Sequence, residues 1–288
     1  MQAGLSLEGA DFFYTNPLRK LHDFDYPLRW SRTRQPNIKS SFCCPPNVVR
    51  TIAEAHNYVY ALSENAVWVN LYAASTQESA WINGERIKLR QETDYSWAGA
   101  IKLIIDEAPA TRFALKLRIP GWMHAGAAKL RVNGEVADVD LTPGHHATLT
   151  RAWRVGDTVS LDLRFKSMLV ESNPLVEETL NQGAVKYGPL VYCLESNDLP
   201  EGVRLTDVAL TLRSAADLIS TQKKVIAGAE VLTLTLPSVV KQNDAWTSGQ
   251  LYREVGPART EPIALKLVPY YAWGNRGDTE MNVWLPIR

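Results

Sequence analysis

"AIKLIIDE" at Ala100–Glu107 and "FALKLRIP" at Phe113–Pro120 repeat an apolar residue at every second position. Ile101, Leu103 and Ile105 share one face of an extended chain, with Lys102 and Asp106 on the other, which is the period of a half-buried strand. Working outward, the same alternation returns in "AVWVNLYA" (66–73), "ERIKLRQET" (85–93), "AKLRVNGE" (128–135), "HATLTR" (146–151) and "DTVSLDLRF" (157–165). Turn pairs separate the runs: Asn83-Gly84, Pro120-Gly121, Asn133-Gly134 and Pro143-Gly144. Short alternating runs between such turns predict antiparallel sheets packed as a β-sandwich over residues 66–168. A second β-rich stretch follows in "AVKYGPLVYCLES", "RLTDVALTLR", "EVLTLTLPSVV", "IALKLVPYYAWG" and "MNVWLPIR". It predicts a second sandwich domain over 169–288, so the chain reads as mainly β.

Upstream the period changes. In "SFCCPPNVVRTIAEAHNYVYAL", residues 41–62, Val48, Ile52, Ala55, Val59 and Leu62 follow at spacings of four, three, four and three. That stripe predicts an amphipathic helix from about Pro46 to Leu62, with proline in the first turn, where its missing N–H has no partner to lose. Residues 1–44 carry Pro17, Pro27 and Pro36 with no clear period and read as loops around short pieces. One helix of about four turns cannot bury its stripe alone. Either residues 1–65 dock on the sheets, or they are the tail of a helical domain.

Composition bounds the partners. The 288 residues carry 31 Lys+Arg and 31 Asp+Glu, so no charge excess points to nucleic acid or an anionic membrane, and a neutral ligand fits better. No run reaches the roughly 18–20 apolar residues of a membrane span. "MQAGLSLEGADFFYTNPLRK" lacks a basic segment followed by an apolar one, so it does not read as a signal peptide, and the expected location is cytoplasmic. Nine Trp and eleven Tyr serve either a sandwich core or the flat platforms of a sugar site. Three cysteines, an odd number, argue against a disulfide framework. Cys193, inside "PLVYCLE", reads as a buried strand residue. Cys43 and Cys44, side by side at the mouth of the helix, could be inert, paired, metal ligands or nucleophiles, and only the last two gain from a rigid, electropositive helix start.

Taken in order, "FFYTNPL", "SFCCPPNVVRTIAEAHNYVYAL", "VWVNLY", "QETDYSWAG", "LRIPGW", "RAWRVGD", "VKYGPLVYCLE", "VPYYAWGNRG" and "MNVWLP" resemble glycoside hydrolase family 127, the β-L-arabinofuranosidases. The resemblance is collinear over nearly the whole chain. It implies β-sandwich domains preceded by the last helical segment, residues 1–65, of an (α/α)6 barrel that holds the active site. It further implies that Cys43 is the nucleophile and a ligand to Zn2+, and that Cys44 is a second ligand. A thiol of pKa about 8.5 is deprotonated when it ligates zinc, and a thiolate can attack an anomeric carbon to give a covalent intermediate and net retention.

By the same resemblance, the remaining zinc ligands, a glutamate and another cysteine, and the glutamic acid that serves as general acid/base come well before the cysteine pair. The context of Glu8, "LSLEGADFF", matches neither role, and Ser41 stands where some members carry one more cysteine. His22, Asp23, Asp25, Glu54 and His56 are local substitutes to weigh, with His56 expected to lie away from the thiols. Tyr14 and Trp30 would either line the sugar pocket or pack on helices. The resulting expectation is the C-terminal part of a zinc-thiolate retaining glycosidase for arabinofuranosides of plant-wall glycans, inactive as this chain alone. It would be completed by a barrel in cis, by a barrel-bearing second chain, or within a homo-oligomer. The alternative is a non-catalytic sandwich protein that scaffolds or binds carbohydrate through Trp81, Trp97, Trp122, Trp246 or Trp273.

Overall fold

The alternating runs become strands in the computed structural model, which describes residues 4–13, 16–22, 35–36, 43–81, 84–211, 219–242, 249–254, 256 and 259–288. Strands β1 (Asp11–Phe12), β2 (Arg19–Lys20) and β3 (Gln35–Pro36) precede helix α1 (Cys44–Glu54). The chain divides into two compact units, Val49–Lys166 and, together, Met1–Val48 with Ser167–Arg288.

The first unit holds β4 (Tyr60–Ser63), β5 (Ala66–Val69), β6 (Ser75–Ala80), β7 (Arg86–Thr93), β8 (Ala100–Glu107), β9 (Phe113–Arg118), β10 (Ala128–Val132), β11 (Glu135–Val136), β12 (His146–Arg151) and β13 (Thr158–Leu163). A six-stranded sheet, β11-β10-β13-β8-β7-β6, faces a four-stranded one, β12-β9-β5-β4, across a single apolar core. Register follows the alternation: Leu103 lies opposite Val159, and Ile101 opposite Leu161, so successive inward residues stack across the sheet. Leu89, Leu103, Leu115, Leu117, Val159 and Leu163 are fully buried, each contributing about 1.5–3 kcal/mol. The Asn133-Gly134 pair turns β10 into β11 with both residues at positive φ, 51° and 87°, the conformation that a two-residue hairpin requires.

The second unit contains β14 (Ser167–Val170), β15 (Gln182–Tyr187), β16 (Leu190–Glu195), β17 (Val208–Leu210), β18 (Ser220–Ile226), β19 (Ala229–Gln242), β20 (Arg259–Pro269), β21 (Met281–Asn282) and β22 (Leu285–Pro286). Its main path runs β14-β15-β16-β20-β19-β17, with β2 and β21 attached beside β16. Two apolar clusters form its core, one around Tyr192, Leu236 and Leu267, the other around Trp273, Met281 and Val268. Cys193 is buried, as its apolar context predicts.

Three sequence expectations change. The helix ends at Glu54, not Leu62; a 3-10 turn covers Ala55–Tyr58, and Tyr60–Ser63 then pairs with Ala66–Val69 across the Glu64-Asn65 turn. The reason is packing: as a strand, β4 completes the backbone pairing of β5, whose Val67 and Val69 are fully buried, whereas Ile52 and Leu62 stay exposed and only Pro45 of α1 is buried. Second, one pair in the first unit is parallel, β5 with β9; the chain between them makes β6, β7 and β8 in the other sheet, and such a long crossover permits parallel pairing. Third, residues 1–65, expected to stand together, divide between the two units. Within the second unit, β2 pairs with β21, and Phe13 and Leu21 enter its core. The expected boundary near residue 168 lies two residues from the Lys166/Ser167 division. The expected turn residue Asn83 lies outside the described residues.

Candidate functional site

The cysteine pair sits where the backbone changes from loop to helix. The Cys43 carbonyl accepts from the Asn47 backbone N–H at 3.3 Å and from Asn47 Nδ2 at 2.8 Å, so Cys43 occupies the cap position and Cys44 opens the helix. Pro45 and Pro46 then fill the first turn, where N–H groups lack intrahelical acceptors and their loss costs no hydrogen bond. The prolines fix the local backbone, and the aligned peptide dipoles leave this end of α1 electropositive.

Cys43 is exposed and Cys44 half-buried, and their Sγ atoms are 3.4 Å apart. Two thiolates about 2.3 Å from one tetrahedral Zn2+ stand roughly 3.8 Å apart. The pair therefore fits two positions of one zinc site with a shift of a few tenths of an ångström. Among the described residues, no group of three His, Cys, Asp or Glu side chains gathers around a common point.

Among the described residues, the local substitutes do not converge on the thiols. His56 Nδ1 lies 2.8 Å from the Ala53 carbonyl at the far end of the helical stretch, and the ten-residue rise from Cys44 to Glu54 is about 15 Å. Glu54 closes α1 at that same end. His22 is held in the second unit, its backbone N–H donating to Glu280 Oε1 at 2.8 Å and its Nδ1 3.6 Å from Asp278 Oδ2. Glu8 is exposed in a turn. Tyr14, Asp23, Asp25, Trp30 and Ser41 lie outside the described residues.

The tryptophans weighed as sugar platforms divide similarly. Trp81 is buried and donates through Nε1 to the Glu64 carbonyl at 2.8 Å. Trp273 is buried and stacked on Phe13, ring centroids 4.6 Å apart. Trp122 packs edge-on against Phe165, and Trp97 is exposed. Trp246 lies outside the described residues. One feature was not singled out in the sequence: a polar hollow of the second unit whose wall includes Asp11, Lys20 and Asp278. Lys20 and Asp278 are 258 positions apart, and no local spacing announces such a pair.

Comparison with known proteins bears on the same segments. Residues 66–165 match the family model described as the middle domain of the GH127 β-L-arabinofuranosidases, and residues 167–286 match the glycoside hydrolase family 127 C-terminal domain. A non-reducing end β-L-arabinofuranosidase of Bifidobacterium longum subsp. longum is 32% identical over 98% of this chain, which covers 43% of that protein. A solved structure titled "Glycoside hydrolase" superposes with a TM-score of 0.91 at 40% identity, over 99% of this chain and 46% of its own. A GH127 β-L-arabinofuranosidase from Geobacillus stearothermophilus T6 gives 0.86 at 32% identity, over 100% and 44%. The chain thus spans less than half the length of these relatives. Among the described residues, no helix is long and apolar enough to cross a membrane.

Proposed function

The chain belongs to glycoside hydrolase family 127, and from that premise we propose that it carries the nucleophile of a retaining glycosidase for β-L-arabinofuranosides of plant-wall glycans. The observation that carries the reading is the Cys43–Cys44 pair, one thiol exposed and the other half-buried, close enough for both sulfurs to serve one centre. The family resemblance gives Cys43 the nucleophile's role, and its greater exposure is compatible with that. Its sulfur attacks the anomeric carbon, a C–S bond forms as the glycosidic C–O bond breaks, and the leaving oxygen takes a proton from a carboxylic acid. Water then displaces the sulfur, and two inversions give net retention.

Cys43 and Cys44 would hold Zn2+, which when bound supplies charge that keeps their thiols ionised. What the chain itself contributes is position. The Asn47 bonds to the Cys43 carbonyl and the two prolines hold the pair at the mouth of α1. The acid and the other zinc ligands are to be supplied by a helical region joined in cis or as a second chain. Without them the thiol has neither a held sugar nor a proton donor, and orientation alone contributes on the order of 7–11 kcal/mol.

The test joins these residues to a GH127 helical domain and measures release from an aryl β-L-arabinofuranoside, together with the mass of the Cys43 peptide after quenching. We expect turnover and a pentosyl adduct on Cys43. Cys43→Ser should remove both, a loss of at least about 10³-fold, while the isolated chain shows neither. A joined enzyme that turns over equally well with Cys43→Ser would overturn the reading.

A further inference from the structure

The two sheets of the first unit treat charge on their outer faces differently. On the six-stranded sheet, cations and carboxylates pair across neighbouring strands: Arg90 Nε lies 3.1 Å from Asp106 Oδ2, Lys88 Nζ 3.3 Å from Glu78 Oε2, Arg86 Nε 3.3 Å from Glu107 Oε2, and Lys102 Nζ 3.8 Å from Glu92 Oε2. Cross-strand pairs of opposite sign neutralise that face. The four-stranded sheet has no such arrangement. Val67, Val69, Leu115, Leu117, Ala147 and Leu149 point into the core, so the alternate residues of β5, β9 and β12 point outward. With those of β4 they include Trp68, Lys116, Arg118, His146, Thr148 and Thr150, and no Asp or Glu.

Register gathers the positive groups. His146 stands directly opposite Arg118, and Lys116 lies between Trp68 of β5 and Thr148 of β12. The Lys116 ammonium sits 3.9 Å from the Trp68 ring centroid, and the His146 ring meets the same indole edge-on at 5.1 Å. Arg112, one residue before β9, continues the alternation and donates from its guanidinium to the Thr150 carbonyl at 3.4 Å. Among the described residues none of these three cations has an ion pair, and the Arg118 Nε is buried without a hydrogen-bond partner. Burial first, then the charges of Arg118 and Lys116, push the His146 pKa below its usual value. Both neighbouring charges that act on the imidazole are thus positive.

We propose that this face docks an extended acidic segment of another protein chain, one that carries carboxylates at alternate residues. The spacing decides the partner. Consecutive outward positions on a strand are about 7 Å apart, so Lys116 and Arg118 match carboxylates two residues apart on a second extended backbone. Arg112 matches another about 13 Å beyond Lys116. The two guanidinium groups suit carboxylates by their planar fork, and Thr148 and Thr150 offer hydroxyls alongside. Other anionic partners fit less well. Nucleic-acid binding runs on many phosphate contacts, against three cations here on a chain with 31 Lys+Arg and 31 Asp+Glu. A bilayer takes up apolar side chains, and the one aromatic ring of this face, Trp68, lies under the Lys116 ammonium. The proposal does not rest on the function proposed above.

The chain as it stands is titrated with a blocked peptide of four Thr-Glu repeats and, separately, with its isomer in which the four Glu are contiguous, following backbone amides by NMR. Saturable shifts at Lys116, Arg118, His146 and Thr148 are expected with the alternating peptide, weakened by added salt, and the isomer should bind at least about threefold less tightly. Lys116→Gln and Arg118→Gln should each weaken the alternating peptide at least about threefold. Lys102→Gln, which removes a cation paired with Glu92 on the other sheet, should titrate like the parent. If Arg118→Gln does not fold, Lys116→Gln and Arg112→Gln carry the comparison. No shifts at these amides, equal binding of the two peptides, or variants that bind like the parent would overturn the proposal, as would tighter binding of oligothymidylate or of phosphatidylserine vesicles. Self-association of the chain in sedimentation that Lys116→Gln abolishes would put a second copy on this face and overturn it too.

Discussion

Gly99 shows at the scale of one residue what a sequence motif hides. It ends "QETDYSWAG", one of the segments that carries the family resemblance, yet nothing local says why glycine is needed. Within the first unit, a Cβ at this position would stand 1.7 Å from the Leu163 carbonyl oxygen, while the Leu163 N–H donates to the Gly99 carbonyl at 2.8 Å. The backbone of the loop entering β8 lies directly against β13, and no flexible side chain can move aside. Gly99→Ala must therefore break that bond or displace the strand. We expect a loss of at least about 2–3 kcal/mol, read by urea unfolding of the isolated chain; an unchanged midpoint would mean the loop and strand separate without cost. The placement of Cys43 and Cys44 at the mouth of a helix was legible because it is local: two adjacent thiols and two prolines ahead of a helix stripe. Gly99, Lys20 and Asp278 were not, because each acquires its role from a residue far away in the chain.

At the scale of elements, the strands were read closely and the helix was not. Alternation in β7, β8 and β13 is enforced by burial on one face, and a register slip of one residue would turn every inward Leu and Ile to solvent. The stripe of Val48, Ile52, Ala55, Val59 and Leu62 carries no such penalty, since it is satisfied equally well on paper by a helix ending at Glu54 followed by a strand. The signal that separates the two readings is "YVYALSENA": aromatic and β-branched residues before a two-residue turn. The two elements should then differ in local stability. Helix α1 has 11 residues and buries only Pro45, and a helix of that length is marginal without tertiary packing. Strand β4 is hydrogen-bonded to β5, and its Tyr60 Oη lies 3.0 Å from Ser75 Oγ. Hydrogen exchange on the isolated chain should show fast exchange across Val49–Glu54 and slow exchange at the β4 amides bonded to β5. Equal protection in the two segments would show that α1 has a packing partner.

At the scale of the whole chain, the described residues among the first 22 belong energetically with the strands of the second unit. Their sequence gave no period, because short pieces held by long-range bonds have no need of one. Phe12, Phe13 and Leu21 are each at least nine-tenths buried, and full burial of such side chains stabilises by about 1.5–3 kcal/mol each. Backbone pairing adds to this: Arg19 lies opposite Asn282 and Lys20 opposite Met281, so β2 supplies the outer partner of β21, which pairs in turn with β16. A chain beginning at Cys43 loses all of these contacts together, while the residues that build the β8–β13 core remain. We therefore expect the deletion to raise hydrogen exchange in β16 and β21 by orders of magnitude and to leave β8 and β13 as protected as in the parent. The single change Phe13→Ala should move the same strands in the same direction, by about 3–5 kcal/mol for a buried aromatic removed from a packed stack. If β16 and β21 stay fully protected after the deletion, the N-terminal segment covers a core that does not depend on it, and the hollow beside Lys20 has a wall that can be lost without unfolding the sheet.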